Sequence, residues 1–104
     1  PIIGPYQDKD SYSALHLYPI QINLNKVRKN RDQIFNVLRE NGVGVNVHYI
    51  PIHTQAYYLQ FGFSEGDFPN SESYYSRAIS IPLFHTMVIE QQDKIVAMLR
   101  KALQ

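Results

Sequence analysis

The sequence predicts an α/β domain: a small, mainly antiparallel sheet of three to four strands with helices packed on one face. Three short stretches place apolar residues at every second position, and three others place them at helical spacing. Each helical stretch carries a single apolar stripe, which suits it to covering one side of a sheet. At 104 residues with 44% hydrophobic and 12% aromatic content, the chain can build one core but not two.

The opening "PIIGPYQDKDSY" is rich in Pro, Gly and Asp and has no period. Residues 1–12 therefore read as a linker before a domain spanning 13–104, as expected for a piece of a longer protein or a chain with a trimmed N-terminus. In "SALHLYPIQIN", Tyr18, Ile20 and Ile22 alternate as in a strand with one buried face, and Pro19 places that strand at an edge or at a bulge. Asn30 and Gln33 form a capping-box pair, opening a helix over about 31–40 with Ile34, Phe35 and Leu38 on its stripe and Asn41-Gly42 at its end. A second strand is expected in "VGVNVHYI", with Val43, Val45, Val47 and Tyr49 on a dry face and Gly44, Asn46, His48 and Ile50 on the other. Residues 51–69 read as a long ordered loop with a short helical turn around 54–60. Asn70 can cap a helix over about 71–79, "SIPLF" is a third strand with Pro82 at an edge, and a last helix over about 89–103 presents Ile95, Val96, Leu99, Ala102 and Leu103.

Composition excludes several classes of function. Ten Lys and Arg face nine Asp and Glu and are scattered, which argues against a nucleic-acid partner. With no cysteine, neither disulfides nor thiolate metal sites are available. No apolar run approaches the roughly 20 residues that span a bilayer, so a cytoplasmic domain without a membrane partner is expected.

The chemistry is concentrated in "NVHYIPIHTQAYY", from Asn46 to Tyr58. A metal site built from His48 and His53, completed by His85 or His16, is weakly supported: the pair stands five apart across Pro51, which excludes a one-face helical pair. No metal is expected. Catalysis within this chain lacks support too, because no G-x-S-x-G, P-loop or paired-carboxylate pattern accompanies the histidines. Two readings stay open: tyrosines and histidines that fill and brace the loop, or a ligand-facing wall of neutral donors suited to a phosphorylated or hydroxylated molecule.

The run "LRENGVGVNVHYIPIHTQAYY", then "PNSESYYSRAISIPLF", then a closing amphipathic helix resembles the C-terminal domain of the DegT/StrS-type sugar aminotransferases. "HYIPIH" matches that family's H-Y-x-P-x-H signature and "ISIPLF" its L-S-L-P-L-y/f segment, and the likeness covers nearly everything after Tyr12. The wording is most similar to the UDP-4-amino-4,6-dideoxy-N-acetyl-altrosamine transaminases of pseudaminic acid biosynthesis. The resemblance implies the small domain of a fold-type I, pyridoxal-phosphate-dependent parent, a homodimer that moves an amino group from glutamate to a UDP-linked 4-keto-6-deoxy amino sugar. It also implies that His48, Tyr49 and His53 bind or orient the nucleotide sugar. The catalytic and cofactor-binding residues belong to a large N-terminal domain, and none of Lys9, Lys26, Lys29, Lys94 or Lys101 lies in the Schiff-base motif. This chain alone is then expected to be inactive. Ala56, where many relatives carry proline, and "FHTM" from Phe84 depart from the pattern, leaving His85 without an implied role. The alternative is a stand-alone ligand-binding or protein-interaction module of the same fold.

Overall fold

The computed structural model describes every residue from Pro1 to Gln104. Three strands, β1 (Ile2–Ile3), β2 (Tyr18–Ile22) and β3 (Ala78–Ile81), form an antiparallel sheet in the order β1-β2-β3. Four helices accompany them: α1 (Arg31–Glu40), α2 (Ala56–Leu59), α3 (Pro69–Tyr75) and α4 (Ile89–Ala102). The α/β class and the antiparallel sheet are as the sequence predicts. No helix is long and apolar enough to cross a membrane.

The sheet's inner face carries Ile20 and Ile22 from β2 and Ile79 from β3, with Ile20 directly opposite Ile79. Ile34 and Leu38 of α1 and Ile95, Leu99 and Ala102 of α4 close over them, and Val43 and Val45 complete the buried cluster. Both long helices lie on that one face. Val96, expected on the buried stripe of α4, is instead 46% exposed. It flanks a groove of about 490 Å³ shared with Tyr18, Phe84 and His85.

The caps of α1 follow the sequence closely. Asn30 Oδ1 accepts the Gln33 N–H and Gln33 Oε1 accepts the Asn30 N–H, both at 2.9 Å. At the other end Gly42 (φ +74°) lets the Gly42 N–H reach Arg39 O and the Val43 N–H reach Leu38 O, each at 3.0 Å. That paired closure satisfies two terminal carbonyls and presses Val43 onto Leu38.

Several further expectations are corrected. The strand containing Pro19 is the central one, not an edge, and it starts only at Tyr18. N–H groups alternate sides along an antiparallel strand; Ile22 donates to Arg77 O, so Pro19 faces the β1 side, where β1 has already ended at Ile3 opposite Gln21. Proline's missing donor is therefore not needed there. Ile2 and Ile3, inside the segment read as a linker, supply β1 itself.

The stretch 43–50 is not a strand. Its one ladder contact is the bridge between Asn46 and Ser80. Another correction concerns α3, which begins at Pro69 with Phe68, not Asn70, at the cap, because proline's fixed φ and absent N–H suit the first helical position. Lastly, that helix stops at Tyr75, and β3 starts at Ala78 where Ser80 was expected, since pairing of Ala78 and Ile79 with β2 claims those residues for the sheet.

Candidate functional site

From Gly42 the chain runs outward along β3. Val43 and Val45 anchor in the core, and Asn46 exchanges both backbone hydrogen bonds with Ser80, donating at 3.0 Å and accepting at 2.8 Å. This bridge fixes register, so Asn46 and His48 share the sheet face turned away from α1 and α4. His48 is half-buried, with Nδ1 2.8 Å from Ser80 Oγ. Tyr49, joined to His48 by a cis peptide bond, stands edge-on to the imidazole at 4.6 Å and is 71% exposed.

A cavity of about 160 Å³ opens beside them, lined among others by His16, Asn46, His48, Ser80 and Pro82. His16 reaches it from the chain leading into β2, where Leu15 adopts a left-handed φ of +46° and its N–H is accepted by Ser13 Oγ at 3.1 Å. A left-handed leucine is costly and marks a locally constrained turn.

His53 is placed differently. It is 7% exposed, with Nε2 2.7 Å from Glu72 Oε1 and its ring 4.8 Å from that of Phe68. The Glu72 carboxylate also accepts the Gly66 N–H at 2.8 Å and the Phe68 N–H at 3.4 Å. These donors, the Gly66 amide first and His53 next, hold its pKa below the ordinary carboxyl value of 4.5. Glu72 thus ties the start of α3 to both ends of the 49–68 segment. Around this clamp the segment arches outward, exposing Tyr57, Phe61, Phe63 and Phe68.

The signature residues therefore divide. His48 lines the small cavity with the exposed Tyr49 ring edge-on against it, whereas His53 braces the arch from within. Sequence reasoning passed over Ser80 and Glu72, and it considered His16 only as a metal ligand. Ser80 gave a faint signal, since a lone hydroxyl inside "ISIPLF" breaks an apolar strand. Glu72 gave none that distinguishes it from any helical glutamate. No group of three His, Asp or Glu side chains is placed to hold a metal ion. His85 lines the groove beside α4 and, with His16, a neighbouring cavity, but it does not line the one at His48.

The cavity offers imidazoles, an amide and a hydroxyl, which can donate to or accept from a polar ligand but form no covalent link to an aldehyde. Its lining includes no lysine and no carboxylate. Two lysines are engaged elsewhere: Lys29 donates to Ala102 O at 3.2 Å, supporting the end of α4, and Lys101 to Asn41 Oδ1 at 2.9 Å. Pyridoxal phosphate needs an amine for its carbonyl and an acid for its ring nitrogen. This donor set does not fit it.

The small antiparallel sheet backed by two helices is the fold of domains found in solved sugar aminotransferases. The family model for the DegT/DnrJ/EryC1/StrS aminotransferase family matches residues 2–100. The chain belongs to that family. It is 37% identical over 101 residues to the spore coat polysaccharide biosynthesis protein SpsC of Bacillus subtilis, covering 95% of this chain and 26% of SpsC. Helicobacter pylori PseC, an aminotransferase involved in the biosynthesis of pseudoaminic acid, superposes with a TM-score of 0.74 at 27% identity over 85% of this chain and 23% of PseC. The PLP form of the putative sugar aminotransferase Spr1654 from Streptococcus pneumoniae shares the fold, with a TM-score of 0.82 at 24% identity over 99% of this chain and 27% of that one. The chain spans about a quarter of the length of the relatives it matches.

Proposed function

We propose that this chain is the small C-terminal domain of a pyridoxal-phosphate-dependent aminotransferase that moves an amino group from glutamate to a UDP-linked 4-keto-6-deoxy amino sugar. Residues 13–104 form the body of the domain, and residues 1–12 lead into it while lending β1 to its sheet. The substrate subgroup we favour is that of the UDP-4-amino-4,6-dideoxy-N-acetyl-altrosamine transaminases, for which the likeness to PseC speaks. The parent is a cytoplasmic homodimer, and the domain by itself is inactive.

The observation that carries this reading is the His48-Tyr49 surface. A histidine fixed by Ser80 lines a polar cavity on the sheet face that the core helices leave uncovered, and the exposed Tyr49 ring packs against that histidine. In this reading His48 and Tyr49 contact the nucleotide sugar. His53 acts at one remove, by holding the arch that borders them.

The size of the core supports incorporation into a larger body. Only 14 of the 104 residues are buried, and the radius of gyration is 15.4 Å, against about 13 Å for a compact domain of this length. Exposed aromatic surface on this scale marks a contact face. The domain's contribution to the reaction would be to close one side of a cleft and keep water out.

The direct test is to express the complete reading frame and assay it with glutamate against UDP- and dTDP-linked keto sugars. Amination of a UDP-linked 4-keto-6-deoxy amino sugar is the expected result. A reading frame without roughly 250 further residues bearing a lysine-containing cofactor motif, or activity confined to dTDP sugars, would contradict the proposal. The first of those outcomes would leave a stand-alone binding module.

A further inference from the structure

We propose that Ser80 is a positioning residue that locks His48 in the Nε2–H tautomer, so that the cavity recognises a hydrogen-bond acceptor on its ligand: a carbonyl, hydroxyl or phosphate oxygen of the nucleotide sugar. The role in recognition rests on the function proposed above; the tautomer itself does not.

Proton accounting at Ser80 carries the inference. Ser80 is 5% exposed, and both its backbone groups are already paired with Asn46. The hydroxyl has a single side-chain partner, His48 Nδ1, at 2.8 Å. If Nδ1 carried the hydrogen and donated to Oγ, the hydroxyl hydrogen would have no acceptor on the protein, the costlier arrangement for a side chain only 5% exposed. If the hydroxyl donates to Nδ1, every hydrogen is placed. A neutral imidazole that accepts at Nδ1 carries its proton on Nε2. His48 then presents an N–H to whatever enters the cavity.

The hydroxyl is itself held rigidly. Ser80 is opposite Pro19 in the β2-β3 ladder and opposite Asn46 on its other side, so its strand is gripped from two directions. A donor oriented in this way before the ligand arrives loses little freedom on binding. The Asn46 amide and the His16 imidazole on the same cavity add groups that can meet the ligand's neighbouring atoms.

The test labels the histidines with ¹⁵N and reads two-bond ¹⁵N–¹H correlations at a pH above the imidazole titration. The wild-type chain should show His48 as a single Nε2–H tautomer. Ser80→Ala should give a mixture, and Ser80→Thr, which keeps the hydroxyl, should restore the single form. A wild-type Nδ1–H tautomer, or a Ser80→Ala chain that keeps Nε2–H alone, overturns the assignment even if one variant folds poorly, because the wild-type spectrum stands by itself. In the full-length aminotransferase, Ser80→Ala should raise KM for the nucleotide sugar about three- to tenfold with kcat within about twofold, and Ser80→Thr should reverse this. An unchanged KM overturns the role in recognition. Nε2–H in the spectrum together with no amination of any keto sugar would remove the proposed function and leave the tautomer lock intact.

Discussion

The helix-sheet core and the 49–68 arch belong to one chain, but different forces hold them. In the core, apolar side chains from β2, β3, α1 and α4 cover one another completely, with Ile22, Ile34, Leu38 and Ile79 at zero exposure. In the arch the apolar groups are left outside, Tyr57 and Phe61 prominently so, and the backbone is held by one carboxylate, Glu72, with the His53 ring and two amides donating to it. One region uses its hydrophobic surface to fold. The other keeps that surface available, which is what a domain needs if its remaining contacts come from elsewhere.

That contrast predicts a graded response to mutation. Leu38→Ala should cost the isolated chain about 2–5 kcal/mol in denaturant unfolding, since it opens a cavity in the packed cluster; a loss below about 1 kcal/mol would mean the core is looser than its geometry. Gly42→Ala should cost about 1–2 kcal/mol, because the closure of α1 requires a left-handed residue there.

Glu72→Gln should act locally. Amide exchange at Gly66 and Phe68 should accelerate while exchange across β2 and α1 stays slow; equal acceleration everywhere would show the arch and core to be one cooperative unit. Acid should mimic this variant. The folded Glu72 carboxyl has its pKa lowered, so its contribution is present above the ordinary value of 4.5 and is lost as pH falls through the lower folded value. The Phe68 ring signals should therefore shift below pH 4.5 before the core unfolds. The smallest effect is expected for Phe61→Ala, within about 0.5 kcal/mol in the isolated chain. The same change in the full-length protein should be larger if another surface covers the arch.

What the sequence made legible follows the same division. The caps of α1 could be read from Asn30, Gln33 and Gly42 because capping is local chemistry, settled within four residues. The alternation of Tyr18, Ile20 and Ile22 marked β2 for the same reason. The stretch 43–50 misled because period-two alternation reports an extended chain, not a paired one, and this one pairs with β3 at Ser80 alone. The C-terminal boundary of α3 failed where distant contacts overrode local ones, when β2 claimed Ala78 and Ile79; at its start the local signal was Pro69, which suits the first helical position better than Asn70 suits the cap.

At the candidate site, His48 and Tyr49 could be picked out from their motif, but their supports could not. The partnership of His48 with Ser80 spans 32 positions and that of His53 with Glu72 spans 19, distances no local pattern reports. The histidine pair looked like one site. Folding separates it into a surface group and an internal brace.

Tyr49 offers the most direct trial of the whole account, because it is 71% exposed and its truncation leaves the core untouched. Steady-state kinetics of Tyr49→Ala in the full-length aminotransferase should show a KM for the nucleotide sugar raised about tenfold, corresponding to roughly 1.4 kcal/mol of lost binding, with thermal unfolding unchanged. Wild-type KM and kcat in that variant would contradict the claim that this face meets the substrate.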